Sequence, residues 1–228
     1  PTPPPPPHPH FFLMILRPPR STLDRSSAAS VVYKRQLDAS ANQLGLQPHA
    51  PYSAGHQVYQ RAVDLAIQFK FRLSTHLAES KMEEQFLVDA SGPIVDHLKA
   101  IGKWDTSIKA SGLHPVDWMK PYLEKAEWLL AHCNYVDDDH IKLIADCGAS
   151  VAYCPIASDY FGHHHHRYRD MMAAGGNVCL GTDSILCQPR NEFQPLSILA
   201  QMRHLYRRDR TSPRVLLDLA TINGCRAL

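Results

Sequence analysis

The sequence predicts an α/β fold in which a parallel sheet forms part of a (β/α)8 barrel of the TIM type. Two observations predict it. Short apolar, strand-like runs alternate with helical runs about five times across residues 37–228, and such alternation implies parallel strands joined by crossover helices. Several of those strands stop on a polar residue: His49, His76, His132 and Asp183. Five units also fit a doubly wound sheet, but functional groups at the C-terminal ends of many different strands mark a barrel.

Taken in order, Leu44–His49 is the first strand, with Pro51 and Gly55 as turn signals behind it. Gln57–Lys70 then spaces Val58, Ala62, Leu65, Ala66 and Phe69 at helical intervals. Phe71–His76 is the second strand, and Ser80–Asp89 reads as a short acidic helix with Phe86 and Leu87 on its apolar face. Residues 91–125 break the rhythm. Gly92-Pro93, Gly102, Gly112 and His114-Pro115 punctuate what reads as a long connection, of the kind that often serves as a lid. Ala126–His132 is the third strand, Asp137–Asp146 a helix with an acidic cap, and Ser150–Cys154 a strand closed by Pro155. Arg167–Ala174 is a helix, Asn177–Asp183 the fifth strand and Phe193–Arg207 a longer helix; Ser212-Pro213 opens the last one, with Pro at its favoured first position.

The N-terminus is a separate matter. Nine of the eighteen prolines fall in the first 19 residues, and residues 11–36 resemble a translated sequencing adapter. Residues 1–36 are expected to be a non-native, disordered Pro-rich extension, because core-poor sequence cannot offset its ordering entropy. The folded domain is then 37–228. His8-Pro9-His10 imitates a metal-binding HxH, but no strand precedes it, so it reads as a decoy.

Composition narrows the function classes. Of the 228 residues, 44% are hydrophobic and 20% charged, which is ordinary for a soluble globular chain. The net charge of +2 comes from Arg17, Arg20, Arg25, Lys34 and Arg35 set against Asp24 in the extension; the body is slightly acidic. No basic footprint for nucleic acid is visible, and no apolar run approaches the ~20 residues of a membrane span. Six cysteines occur without a CxxC pair, several beside apolar strands. They read as reduced thiols of a cytoplasmic protein.

Pro48-His-Ala-Pro-Tyr-Ser53, Thr75-His-Leu-Ala-Glu79, Ala131-His-Cys-Asn134 and Gly181-Thr-Asp-Ser184 together resemble the amidohydrolase superfamily, in its branch of chlorohydrolases and of deaminases acting on adenosine-like thioethers, guanine and triazines. The resemblance runs from about Leu44 to the chain end, where Ala220-Thr-Ile-Asn-Gly224 is similar to the final barrel helix. It implies about the last five β/α units of the barrel, a fragment lacking the first-strand HxH. It further implies that His76 and Asp183 are metal ligands. Glu79, His132 and Asp183 are then catalytic: Glu79 shuttles a proton to the substrate ring, His132 orients and polarises the attacking water, and Asp183 takes the water's proton. His49 contacts substrate.

The implied cofactor is one divalent metal, zinc first and iron as the alternative, since imidazole and carboxylate suit such borderline cations. A carboxylate ending an apolar strand also needs a cation or donors to offset its burial. The implied reaction is hydrolysis of a carbon–nitrogen bond, the deamination of a cyclic amidine that is purine- or triazine-like. The partner is a small heterocyclic molecule, and a homo-oligomer is left open for the full-length parent. Without the first-strand ligands the fragment is expected to be inactive. The alternatives are a hydrolytic dechlorinase on the same scaffold and a non-catalytic α/β module with structural histidines. Outside this set, His163–His166 read as a solvated loop, His140 and His204 as surface residues, and Arg207–Arg210 as a cationic helix end.

Overall fold

The computed structural model describes residues 45–187 and 196–228. The expected extension over residues 1–36 lies outside the described residues, as does the beginning of the expected helix at Phe193. The described residues build one five-stranded sheet in the order β1-β2-β3-β4-β5, every neighbouring pair parallel. The strands are β1 (Gly45–Leu46), β2 (Arg72–Leu77), β3 (Trp128–His132), β4 (Ser150–Tyr153) and β5 (Asn177–Leu180). The strand order follows the chain order, as it does when each crossover lays the next strand beside the last. This is the expected α/β architecture of a partial barrel.

The first helix, α1 (His56–Phe69), buries Tyr59, Ala62, Val63 and Ala66, one stripe at helical spacing. It stops at Lys70, which turns left-handed at φ 56°. Helix α2 (Lys81–Asp89) starts where the Ser80 side chain accepts the Glu83 amide hydrogen bond. The stretch expected to be a lid holds two more helices, α3 (Pro93–Ala100) and α4 (Pro115–Leu123), each with Pro at its first position. Those prolines initiate helices instead of breaking them, because the first-turn N–H groups lack partners in any case. Both helices bury apolar side chains, Ile94 and Val95 in α3 and Trp118, Met119 and Tyr122 in α4, so they belong to the packed layer.

Helix α5 (Asp138–Asp146) is closed by a reciprocal cap: Asp137 accepts from the His140 amide, and the His140 ring accepts from the Asp137 amide. His140 is thus 9% exposed and stacked on His114 at 3.9 Å, not the surface residue expected. Short helices α6 (Pro155–Tyr160) and α7 (Tyr168–Ala173) follow, then α8 (Ile198–Asp209), α9 (Pro213–Ala220) and α10 (Ile222–Ala227). His204 of α8 bonds Asp159 at 2.5 Å, and Arg208 bonds Asp159, Asp209 and Tyr153. The cationic helix end is therefore partly spent on an internal ion-pair network. Among the described residues no helix is long and apolar enough to cross a membrane.

Register decides which side chains share a face. On β2 Leu73, Thr75 and Leu77 are buried, while His76 faces the other way and is half-buried. Thr75 is satisfied inside by the Tyr59 hydroxyl at 2.6 Å and the His49 carbonyl at 3.2 Å. Tyr59→Phe deletes one of these bonds without opening a cavity. A loss of about 1 kcal/mol is expected, seen as a melting temperature lower by roughly 2–4 °C in thermal unfolding.

Candidate active site at the strand ends

The β2–β3 register sets His76 opposite Ala131 and Leu77 opposite His132. The ladder extends past both strands: His76 N–H donates to the His49 carbonyl at 2.9 Å, and Cys133 N–H donates to the Leu77 carbonyl at 2.9 Å. At the far side Gly181 N–H donates to the Tyr153 carbonyl at 2.8 Å. Gly181 has little room for a side chain, since a Cβ would lie 2.8 Å from the Cys154 sulfur. These bonds hold the C-terminal ends of the strands level, so that His49, His76, Glu79, His132 and Asp183 come from successive positions along one rim.

The rings of His49 and His76 lie 4.9 Å apart, and those of His76 and His132 5.3 Å apart. Glu79, His132 and Asp183 each offer a ligand atom within 4.8 Å of the other two. His132 Nε2 stands 3.7 Å from Glu79 Oε1, close enough for electrostatic coupling but too far for a direct hydrogen bond. Every expected site residue therefore stands in this neighbourhood, although the three-membered donor group does not include His76.

Hydrogen bonds fix the ring nitrogens. His76 Nδ1 lies 2.9 Å from the His49 carbonyl oxygen, which only accepts, so Nδ1 carries a proton and Nε2 is the nitrogen whose lone pair the neutral ring can offer. That is the state a metal-binding imidazole requires. Ser53 donates its hydroxyl proton to the Ala50 carbonyl, so the 2.6 Å bond between His49 Nδ1 and Ser53 Oγ runs from the ring to the hydroxyl. His49 Nε2 is then an acceptor. Burial, with the adjacent His76, holds His49 below the usual histidine range.

Backbone conformation at the rim is unusual. Ala78, His132, Cys133 and Asp183 all have positive φ, at 48°, 76°, 52° and 55°, and none is glycine. Left-handed backbone in residues with a Cβ costs energy and persists only where the surroundings over-determine it. Here the chain turns sharply as each strand ends, which aims the following side chains across the strand ends. Asp183 is braced by the Ser184 amide, donated to its Oδ1 at 2.6 Å.

Several supporting residues were invisible in the sequence. Glu83 is completely buried and accepts the Ala78 and Glu79 amides at 3.1 and 2.8 Å. Burial drives its carboxyl up to about 8, against the opposing pull of those N–H groups. Asn134 donates to the Glu79 carbonyl at 3.0 Å and is itself oriented by Ser158. His166, expected in a solvated loop, is 9% exposed, stacked on Tyr153 at 3.7 Å and donating through Nε2 to the His132 carbonyl at 2.6 Å. A run of four histidines disguised it, since periodicity cannot say which of four identical side chains points inward. His163, in the same run, is half-buried and bonded to the Tyr135 hydroxyl at 2.7 Å.

Comparison with known proteins fits this geometry. A model described as the Amidohydrolase family matches residues 19–228. A 5-methylthioadenosine/S-adenosylhomocysteine deaminase of Thermoanaerobacter pseudethanolicus is 28% identical, over 79% of this chain and 38% of that protein. The 8-oxoguanine deaminase of Pseudomonas aeruginosa is 25% identical, over 86% of this chain and 40% of its own length. The crystal structure of Helicobacter pylori aminofutalosine deaminase superposes with a TM-score of 0.76 at 21% identity, covering 91% of this chain and 52% of that one. The chain thus spans about half, or less, of the length of these relatives.

Burial lowers His166 to about 3, whereas the unfolded ring takes up a proton near 6.5. Its neutral form is favoured only in the folded state, so its contribution is fully present above pH 6.5 and falls away as pH drops toward 3. Gln in its place keeps an N–H for the His132 carbonyl but does not titrate. Denaturant unfolding should therefore give His166→Gln a shallower loss of stability with acid than the parent chain, the difference reaching up to about 1.4 kcal/mol per pH unit inside that window.

Proposed function

Because this chain belongs to the amidohydrolase family, we propose that it is part of a metal-dependent hydrolase that deaminates a small cyclic amidine, purine- or triazine-like in structure. The observation that carries the reading is the convergence of Glu79, His132 and Asp183 donor atoms within 4.8 Å, contributed from the ends of three different parallel strands. Relatives described as deaminases of 5-methylthioadenosine and of 8-oxoguanine support carbon–nitrogen chemistry on purine-like rings.

The donor set fits a divalent cation, zinc first and iron second. His76 Nε2, left with its lone pair by the His49 carbonyl, and the Asp183 carboxylate would hold it. Such a cation, when bound, polarises water and brings its pKa toward ~7. The remaining work falls to the protein. Asp183 accepts a proton from the attacking water, and His132 orients that water through Nε2. Glu79 takes the water's other proton and passes it to the ring nitrogen of the substrate as the water oxygen adds to the amidine carbon. Asp183 then gives its proton to the amino group, the carbon–nitrogen bond breaks, ammonia leaves, and the water oxygen stays on the ring as a carbonyl. His49, an acceptor at Nε2, takes a hydrogen bond from the substrate.

Relatives of about twice this length set the context in which turnover is proposed. On this reading the ligands among the described residues are one histidine, His76, and one carboxylate, Asp183, whereas structural sites ordinarily need four donors and catalytic ones three. The 228-residue chain should accordingly retain well under one equivalent of zinc after dialysis and show no ammonia release from amino-purines. Stoichiometric, tightly held zinc measured by elemental analysis would contradict this. In a protein of the relatives' full length carrying this segment, Glu79→Gln should lower turnover by about 10²–10⁴-fold while metal content is unchanged. Unaltered turnover would favour a non-catalytic role for Glu79.

A further inference from the structure

We propose that Glu83 and Asn134 form a two-sided clamp on the Glu79 peptide, and are positioning residues for the proton-transferring carboxylate. The inference rests on the proposed role of Glu79, but the clamp itself is geometric. Glu83 Oε2 accepts the Glu79 amide at 2.8 Å, and Oε1 accepts the Ala78 amide at 3.1 Å. On the opposite side Asn134 Nδ2 donates to the Glu79 carbonyl at 3.0 Å. The Asn134 Oδ1 is held in turn by the Ser158 hydroxyl at 3.0 Å, which settles the orientation of the amide. Both polar groups of residue 79 are thus claimed by side chains, one from α2 and one from the turn after β3.

The need for a clamp lies in the local backbone. Ala78 is left-handed at φ 48°, so the turn that follows β2 has no strand or helix ladder to satisfy its amides. Two consecutive N–H groups point at the fully buried Glu83 carboxyl group, and unpaired there they would be costly. A single carboxyl group with two oxygens meets both. Glu83 is anchored by its own place in the first turn of α2, where its amide is capped by Ser80 at 3.3 Å. The Glu79 side chain then leaves a fixed peptide, which accounts for its reaching 3.7 Å from His132 Nε2 with no direct hydrogen bond to hold it there. Position of a transferring group to within a fraction of an ångström is what supporting hydrogen bonds supply in such sites.

The test uses the full 228-residue chain and needs neither metal nor turnover. By NMR, the Ala78 and Glu79 amides of the parent chain should exchange with solvent as slowly as the central amides of β2. Glu83→Leu keeps the bulk and removes both acceptors. Those two amides should then exchange at least 10-fold faster relative to the rest of β2, and the His132 ring nitrogen resonance should move to the value it takes in Glu79→Gln. Glu83→Gln keeps one acceptor oxygen and should restore one of the two amides. Asn134→Ala, approaching from the other side, should move the His132 resonance in the same direction. A purely structural Glu83 would speed exchange uniformly across the sheet and leave the His132 resonance in place, which would overturn the proposal. Rapid exchange of Ala78 and Glu79 in the unsubstituted chain would overturn it as well, whatever the variants do. A clamp present in a chain whose longer relative-sized form ignores Glu79→Gln would leave the geometry standing and remove the proton-transfer reading alone.

Discussion

The parallel hydrogen-bond ladder is the constraint on which the rim depends. Its in-line register puts the C-terminal ends of β1, β2, β3 and β5 at one height, and the bonds His76 to His49, Cys133 to Leu77 and Gly181 to Tyr153 carry that alignment one step beyond the strands. A slip of one residue would turn every side chain to the other face. His76 would then be buried among helices and Thr75 exposed at the mouth. The core resists such a slip, because Leu73, Thr75 and Leu77 on one strand and Trp128 and Leu130 on the next already fill the covered face.

What the ladder cannot do is aim the residues after each strand ends. That task falls to turns in strained conformations, and the strain is held by buried polar side chains. Glu83, Asn134 and His166 each take a backbone group that has no ladder partner: the amides of Ala78 and Glu79, the carbonyl of Glu79 and the carbonyl of His132. Glu83, Asn134 and His166 are themselves buried, so their polar groups would be costly to leave unpaired. The same logic extends outward, where Arg208 ties Tyr153, Asp159 and Asp209 together behind His166. The resulting order runs from α8 to the rim through contiguous hydrogen bonds and ring stacking.

Membership of the amidohydrolase family agrees with a sheet that is wholly parallel, and the span of about half the relatives' length agrees with five strands rather than a closed set. In a complete barrel the outer strands β1 and β5 would each have a second neighbour. Here, among the described residues, each pairs on one side only. The rim residues nevertheless assemble, because their relative positions depend on β1 to β5 and the intervening turns, not on closure.

Sequence by itself determined the strand–helix alternation and the residues that end the strands. Glu79 could be read only through the resemblance of Thr75-His-Leu-Ala-Glu79 to the amidohydrolase superfamily, whereas His49, His76, His132 and Asp183 each terminate an apolar run. These are local properties of the chain, and periodicity carries them. Only tertiary structure decided which polar residues turn inward. Glu83 sits in an acidic first helical turn that looks solvated, His166 in a histidine run and His140 in a polar helix, and each is buried by elements distant in sequence. The connection from 91 to 125 became two packed helices for a related reason. Gly92-Pro93 and His114-Pro115 serve equally as breakers and as helix starts, and the apolar faces of α1, α2 and α5 made the second use the favourable one. Burial is a property of the neighbours a residue acquires on folding, and no pattern within its own segment encodes them.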